Sequence, residues 1–306
     1  MFPQVDTKSP SSVAAVARAT FLHHHPGADT NVLDALFRDL EDMFAGRYLD
    51  YLPLDMRYHD QEHTLQAVLC LVQLLEGRYR AKAVPPLTAR QFELAVAAAL
   101  LHDTGYLKLR SDREGTGAKY TLVHVIRSCA FAASYLPVLA FNADEVDTVV
   151  TAIRCTGPRS NIAHLQFAGE VEHFIGCALA TADYLGQMAA PDYVDEIAFL
   201  YAEFEESDNY FNIPREARLY RSVRDLIAKT PVFWEKFVLP KINNDFLGVY
   251  RFLADPYPGG PNSYIAAIEQ NMTRAITLAY APEISLDPFP QPPLGRDSRS
   301  PSLPKP

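Results

Sequence analysis

The chain has 306 residues and a formal net charge of −9 at pH 7. That length can bury a full hydrophobic core, as one large domain or two small ones. The acidic balance argues against a protein that binds nucleic acid or an anionic membrane. The four cysteines have no paired spacing, which excludes a cysteine zinc ribbon and suits a reducing compartment. The sequence has no apolar run of transmembrane length and no N-terminal targeting pattern, so we expect a soluble, cytoplasmic protein.

The composition predicts one long helical domain between two polar ends. Residues 1–28 are predicted to be an N-terminal leader and residues 29–281 a single helical domain. Within that domain the candidate site spans residues 59–183, and residues 190–281 form a C-terminal helical extension rich in aromatic residues. Residues 282–306 are rich in proline and poor in apolar residues, which predicts a disordered tail.

Apolar residues recur at the helical period through most of the chain, and no convincing alternating strand pattern is present. In chain order, the helical segments are approximately residues 13–22, 30–46, 60–79, 88–103, 120–139, 146–153, 169–188, 215–229, 231–254 and 262–280, with an interruption expected at Pro240. The histidine triplet 23–25 is expected in a solvated loop before Pro26. The predicted fold class is therefore all-α, an irregular multi-helix bundle.

Several helix boundaries carry specific signals. Thr88 with Gln91, and Asn142 with Glu145, have the spacing of a capping box and predict two helix starts. Pro191 is expected in the first turn of a further helix, because proline suits that position.

The most informative stretch is the apolar run that ends in His102-Asp103 and is followed by Gly105. Adjacent His and Asp at a buried helix end are costly unless they are hydrogen-bonded, paired or bound to a metal. An imidazole and a carboxylate side by side are suitable ligands for a divalent cation. Two side chains cannot complete such a site, so further ligands must come from elsewhere in the chain.

Candidate partners lie on both sides of this pair. Upstream, His59 and His63 are four residues apart and would share one face of a helix. Both could bind one metal, or His63 could be a ligand while His59 faces the substrate as an acid. Downstream, Asp183 interrupts an apolar helix face, where an unpaired carboxylate is heavily penalised. A single buried His or Asp is more often a hydrogen-bonded core residue, but three helices each interrupted by a metal-competent residue favour a shared site.

His63, His102-Asp103 and Asp183 match, in order and approximate spacing, the H…HD…D signature of the HD superfamily of metal-dependent phosphohydrolases. The segment Tyr58–His63 (YHDQEH) also resembles the YHNxxH segment of class I cyclic-nucleotide phosphodiesterases, which belong to that superfamily. The resemblance covers approximately residues 55–190. It implies an all-helical HD-type bundle with one firmly held divalent metal, bound by His63, His102, Asp103 and Asp183.

The resemblance also implies a mechanism. His59 would give a proton to the leaving oxygen, because its reference pKa lies near neutral pH. Metal-bound water would attack phosphorus, and Asp103 could bridge to a second, mostly water-held metal. The ligand set would accept Mn, Mg, Fe, Zn or Ni.

The chain departs from the phosphodiesterase pattern in informative places. That family continues as HDxxH, whereas Tyr106 stands at the last position here. His124 lies where dinuclear HD proteins place an extra histidine, but Cys155 stands near where the next one is usual. We therefore treat His124 as a candidate substrate contact or second-metal ligand. Arg127, one turn further along, is a candidate contact to a substrate phosphate.

The function expected from the sequence is metal-dependent hydrolysis of a small phosphoester, mono- or diester, such as a nucleotide or cyclic nucleotide. One alternative is an HD-type diiron oxygenase, against which the lack of a histidine at Cys155 counts. Another is a non-catalytic HD scaffold that binds a nucleotide. The sequence leaves the oligomeric state undecided.

Overall fold

A computed structural model describes residues 5–158 and 160–281 of the protein. These residues form ten α-helices and no strand, with only isolated backbone bridges between Tyr51 and Leu109 and between Ala254 and Asn262. The helices are α1 (Pro10–His24), α2 (Asn31–Phe44), α3 (Gln61–Arg80), α4 (Ala89–Leu101), α5 (His124–Tyr135), α6 (Ala143–Cys155), α7 (Glu170–Met188), α8 (Tyr193–Tyr210), α9 (Val223–Phe233) and α10 (Ser263–Tyr280). The prediction of an all-α fold is confirmed.

Helices α3, α4 and α7 lie at the centre of the bundle. Every residue of α4 from Phe92 to Leu101 is buried, and α7 is buried along most of its length. A helix that is apolar on all sides must be covered on all sides, and α4 is covered by α2, α3, α5, α6 and α7. The centre of the molecule is therefore an apolar environment in which any charged group needs a partner.

Both predicted capping boxes are present. The Thr88 hydroxyl accepts the backbone N–H of Gln91, and the Gln91 side chain accepts the backbone N–H of Thr88. Asn142 and Glu145 make the equivalent pair at the start of α6. These local signals set the starts of α4 and α6 without help from tertiary structure.

The N-terminal segment differs from its prediction. Helix α1 continues to His24, and its residues Val13, Ala17 and Phe21 are buried in the common core. The expectation of a loop is therefore wrong for His23 and His24, which end α1, whereas His25 follows the helix and His23 is exposed as expected. The end of α1 is held by a contact with α3, because His24 Nε2 lies 2.6 Å from a Glu76 carboxylate oxygen. The predicted tail, residues 282–306, lies outside the described residues.

Proline positions account for two further differences. Helix α8 begins at Tyr193 with Asp192 as its N-cap, so Pro191 precedes the helix instead of lying in its first turn. The helix predicted over 231–254 is irregular, with π-helical turns at Trp234–Val238 and Lys241–Asp245 on either side of Pro240. Proline removes a backbone donor and crowds the preceding turn, which favours such wider turns over a regular α-helix.

Among the described residues, none of the helices combines the length and the apolar content needed to cross a membrane.

Close packing of α3 against α7 depends on Gly186. A Cβ atom at that position would lie 2.8 Å from both the carbonyl carbon and the carbonyl oxygen of Gln66 in α3. We expect Gly186→Ala to lower the free energy of unfolding by about 1–2 kcal/mol, because overpacking a core costs about 1–3 kcal/mol and outweighs the better helix propensity of alanine. Urea denaturation measures the change. Gly259→Ala, where nothing lies within 4 Å of the added Cβ, is the matched control and should have little effect.

Candidate metal centre

The first turn of α3 presents His63. Asp60 is the N-cap of this helix, and its carboxylate accepts the backbone N–H of His63 at 3.0 Å. Because the cap has an extended backbone, His59 lies before the helix, and the prediction that His59 and His63 share one helical face is wrong. Their imidazole rings nevertheless lie 5.2 Å apart between centroids. His59 therefore reaches the same site from the segment that precedes α3, not from the helix itself.

The end of α4 presents His102 and Asp103. Nδ1 of His102 donates to the carbonyl oxygen of Ala99 at 2.8 Å, and this bond assigns the tautomer. Its Nε2, which then carries the lone pair, faces the carboxylates of Asp103 and Asp183. In a metal-binding histidine the other ring nitrogen usually donates its N–H to a backbone carbonyl, a carboxylate or a water.

Helix α7 adds Asp183 to this group. Nε2 of His63 lies 3.1 Å from Asp103 Oδ2 and 3.4 Å from Asp183 Oδ1. Nε2 of His102 lies 3.4 Å from Asp103 Oδ2 and 3.5 Å from Asp183 Oδ1. Ligand atoms of His63, His102 and Asp183 thus all lie within 4.8 Å of one another, and Oδ2 of Asp103 lies within 3.4 Å of both imidazole nitrogens.

These four atoms fit a divalent cation. Nε2 of both histidines and Oδ2 of Asp103 are buried and have no hydrogen-bond partner in the described part of the chain. Unpaired buried polar atoms are costly. Ligand atoms about 2.1 Å from a cation lie about 3.0–3.4 Å from one another in octahedral or tetrahedral geometry, close to the separations found here. The structure brings the four predicted ligands together, and their role as ligands stays a prediction.

A second group of metal-competent side chains overlaps the first. Ligand atoms of His59, His63 and Asp103 lie within 4.8 Å of one another. His124 adds to it, because its Nε2 lies 3.7 Å from Oδ1 of Asp103 while its Nδ1 donates to the carbonyl oxygen of Thr121 at 2.7 Å. Asp103 thus turns one oxygen toward His63 and His102 and the other toward His124. A carboxylate in this arrangement is able to bridge two cations.

Gly105 makes this approach of α5 to the end of α4 feasible. A Cβ atom on Gly105 would lie 2.0 Å from the carbonyl oxygen of His124. Glycine is therefore required so that the backbone of α5 can approach the turn that follows Asp103. Tyr106, which stands where the phosphodiesterase pattern has histidine, contacts the rings of both His59 and His124, at centroid distances of 4.9 and 4.6 Å.

Glu203 of α8 holds His59. One carboxylate oxygen lies 2.6 Å from Nδ1 of His59, and the other accepts the backbone N–H groups of Arg57 at 3.0 Å and Tyr58 at 2.8 Å. Sequence reasoning missed this residue. The signal that could have found it is a carboxylate on the buried stripe of α8, between Ile197 and Ser207.

Arg127 does not point a free guanidinium toward the site. Its Nε donates to the carbonyl oxygen of Gly105 at 2.7 Å and one Nη donates to that of Leu107 at 2.8 Å. The guanidinium also lies 3.6 Å from the ring centroid of Tyr120. These contacts hold the turn after Asp103 in place, and the predicted contact of Arg127 with a substrate phosphate stays a prediction.

The buried charges in the site stabilise one another. Burial lowers the pKa of His63, but contacts with Asp103 and Asp183 outweigh it and raise that pKa to about 10. Burial raises the pKa of Asp103, but nearby His102 and His63 hold it well below its usual value. Burial also raises the pKa of Asp183, but contacts with His102 and His63 outweigh burial and lower it. Without a cation, protonated imidazole is the group that neutralises the two carboxylates.

Three side chains of the site are partly exposed to solvent. The side chains of His59, His124 and Asp183 are 15–16% exposed, whereas those of His63, His102 and Asp103 are at most 4% exposed. A small molecule would therefore meet His59, His124 and Asp183 first, with the other three side chains behind them.

The fold and the site define an all-α protein with a buried His/Asp group able to hold a divalent metal. The profile of the Npun_R2479-like family matches residues 49–252, two-thirds of the chain, and the protein belongs to that family. The matched region contains every residue of the site described above. Comparison with curated proteins finds no similar sequence.

Removing one ligand side chain should abolish metal binding. We expect His102→Ala and Asp183→Ala to lower the affinity for Mn²⁺ or Zn²⁺ at least about 100-fold, because each leaves only three of the four converging ligands. Metal analysis of the purified proteins and titration calorimetry measure the change. His164→Ala, at an exposed position distant in sequence from the site residues, is the control and should retain metal. Equal metal content in the wild-type protein and in all three variants would contradict the proposed metal site.

The metal-free protein should lose stability as the pH rises from about 6.5 to about 10. The pKa of His63 is raised to about 10 in the folded state, and the unfolded value is about 6.5. In that window the folded state binds more protons than the unfolded state, so stability falls with pH. Denaturation in the presence of a chelator measures the effect, and His63→Gln should flatten the profile. A profile unchanged by His63→Gln would contradict this origin.

Proposed function

We propose that the protein is a metal-dependent phosphohydrolase, in which His63, His102, Asp103 and Asp183 hold a divalent cation. The observation that supports this most is the convergence of buried, unpaired ligand atoms from α3, α4 and α7 at separations that suit a cation. The order of these residues along the chain agrees with the HD signature. The Npun_R2479-like family description names no activity, so the proposal depends on the site alone.

The donor set admits several metals. Two imidazole nitrogens and two carboxylate oxygens suit Mn²⁺, Fe²⁺, Zn²⁺ or Ni²⁺, and Mg²⁺ is accommodated by the carboxylates with added water. When bound, such a cation would lower the pKa of a coordinated water and neutralise charge on a phosphoryl oxygen. Asp103 Oδ1 and His124 Nε2, 3.7 Å apart, support a second and weaker site at the more exposed part of this centre.

His59 is suited to donate a proton to the leaving oxygen. Glu203 accepts from Nδ1 of His59 at 2.6 Å, so the ring is held in one orientation and Nε2 is left for a substrate. Glu203 does this from α8, which contributes none of the four metal ligands. The same carboxylate fixes the backbone of Arg57 and Tyr58. Glu203 is therefore a positioning residue for His59.

The substrate class we favour is a small phosphoester, with nucleotides and cyclic nucleotides first among those to examine. The partly exposed side chains of the site are two imidazoles and one carboxylate, which would meet the phosphate. The diiron oxygenase and the non-catalytic scaffold are the outcomes that would replace this proposal, and no contact in the described residues favours either over hydrolysis.

The test combines a substrate screen with a change at Glu203. Phosphate release is measured over phosphomonoesters, phosphodiesters, nucleoside triphosphates and cyclic nucleotides, with Mn²⁺, Mg²⁺, Zn²⁺ or Ni²⁺ added to chelator-treated protein. We expect metal-dependent turnover, and we expect Glu203→Gln to lower kcat about 10- to 100-fold with metal content unchanged, because His59 is no longer held. Glu205→Gln, an exposed neighbour on the same helix, is the matched control.

Two results would contradict the proposal. Metal binding with no hydrolysis of any of these phosphoesters, together with bound iron and oxygen uptake, would favour the oxygenase. Metal binding with retention of a nucleotide and no phosphate release would favour the non-catalytic scaffold.

A further inference from the structure

The outward side of α5 is covered by uncharged side chains. The exposed residues of α5 and of the turns at its two ends are Leu122, Ile126, Ala130, Ala133, Ser134, Pro137 and Val138. Leu122 is 52% exposed, Ile126 70% and Val138 75%. Spacings of three and four residues from Leu122 to Pro137 place most of these side chains in one stripe along the helix. We call this stripe the α5 ridge.

A solvent-facing helix normally carries charge on its outer side. The sequence of α5 contains one Arg and no Lys, Asp or Glu, and that residue, Arg127, is turned inward to the carbonyl oxygens of Gly105 and Leu107. The whole chain carries a formal charge of −9. An uncharged, largely apolar ridge on a strongly acidic protein marks an interaction surface.

Helix α6 adds charges of both signs beside the ridge. It runs antiparallel to α5, and the Cys129 thiol donates to the carbonyl oxygen of Val150 at 3.6 Å, which fixes the register of the two helices. Arg154 is one turn beyond Val150, toward the N-terminal end of α5, and lies close enough to Cys129 to lower the pKa of its thiol against the larger effect of burial. Asp147 lies nearly one turn before Val150 in α6, toward the C-terminal end of α5. Seven residues separate Asp147 and Arg154, so the two share one side of α6.

Arg154 and Asp147 are both exposed, and neither has an ion-pair partner in the part of the chain that the structure describes. A positive group therefore flanks one end of the α5 ridge and a negative group flanks the other. If a second copy is rotated by 180° and placed against the first, the positive end of each ridge faces the negative end of the other.

We propose that the α5 ridge binds a second copy of this chain. The two α5 helices pack antiparallel about a two-fold axis near Ala130, and Arg154 of each copy meets Asp147 of the partner subunit. A two-fold interface requires such a self-complementary patch. Two chains of charge −9 repel each other over most of their surfaces, so the uncharged ridge is the face where their approach costs least.

The dimensions of the ridge also suit this occupant. From Leu122 to Pro137 it is about 23 Å long. The small side chains of Ala130 and Ala133 lie at its centre and allow the helices to approach closely. The proposal does not depend on the proposed function, because none of the ridge residues is among the side chains of the candidate metal centre.

Analytical ultracentrifugation of the full chain tests the proposal. We expect the wild-type protein to sediment at twice the chain mass at micromolar concentration, and Ile126→Glu to sediment as a monomer. Leu219→Glu, which makes the same change at an apolar side chain 75% exposed elsewhere, is the control and should remain a dimer. Circular dichroism confirms that the variants fold. A monomeric wild-type protein at about 100 μM would overturn the proposal.

A charge exchange tests the geometry of the dimer. Arg154→Asp and Asp147→Arg should each weaken dimerisation about tenfold, since each places like charges opposite one another in both symmetry-related pairs. The double variant should restore it. A dimer that survives Ile126→Glu, or single variants that the double variant does not rescue, would overturn the antiparallel α5 arrangement.

Discussion

The interaction on which the rest of the structure depends is the contact of two imidazoles with two carboxylates inside an apolar bundle. Nε2 of His63 and of His102 lie 3.1–3.5 Å from oxygens of Asp103 and Asp183. Four ionisable groups at such distances are stable only if their charges balance. Protons on the imidazoles or a cation between the four groups can supply that balance.

The helices around this group are shaped to bring the four groups together. His102 and Asp103 come at the end of α4, where the helical hydrogen bonds stop and side chains can turn inward. His63 is in the first turn of α3, fixed by the Asp60 cap. Gly186 lets α7 approach α3 and Gly105 lets α5 approach the end of α4, each at a point where a Cβ atom would collide with backbone. The site therefore depends on helix termini and on two close backbone contacts.

A second layer of residues gives the site its asymmetry. Glu203 holds His59 from α8, and the ring of Tyr106 packs against those of both His59 and His124. Arg127 holds the turn after Asp103 and leaves the outer side of α5 without charge. The same helix thus faces the candidate metal centre on its inner side and solvent with an uncharged ridge on its outer side.

The sequence by itself determined the all-α class and the four residues that converge, because both depend on local patterns. Helical periodicity and capping pairs such as Thr88 with Gln91 act within a few residues, and a polar residue that interrupts a buried stripe is visible in one dimension. The sequence located the start of α3 near Asp60, but the shared helical face expected for His59 and His63 was wrong, because His59 lies on the other side of the Asp60 cap.

Only the tertiary structure decided which partners the remaining side chains have. The contact of Glu203 with His59 joins residues 144 positions apart, and that of His24 with Glu76 joins residues 52 positions apart. No periodicity relates such positions, because their proximity follows from how the helices pack. Arg127 shows the same limit, since its sequence position was compatible with a substrate contact and its carbonyl partners became visible only in the folded chain.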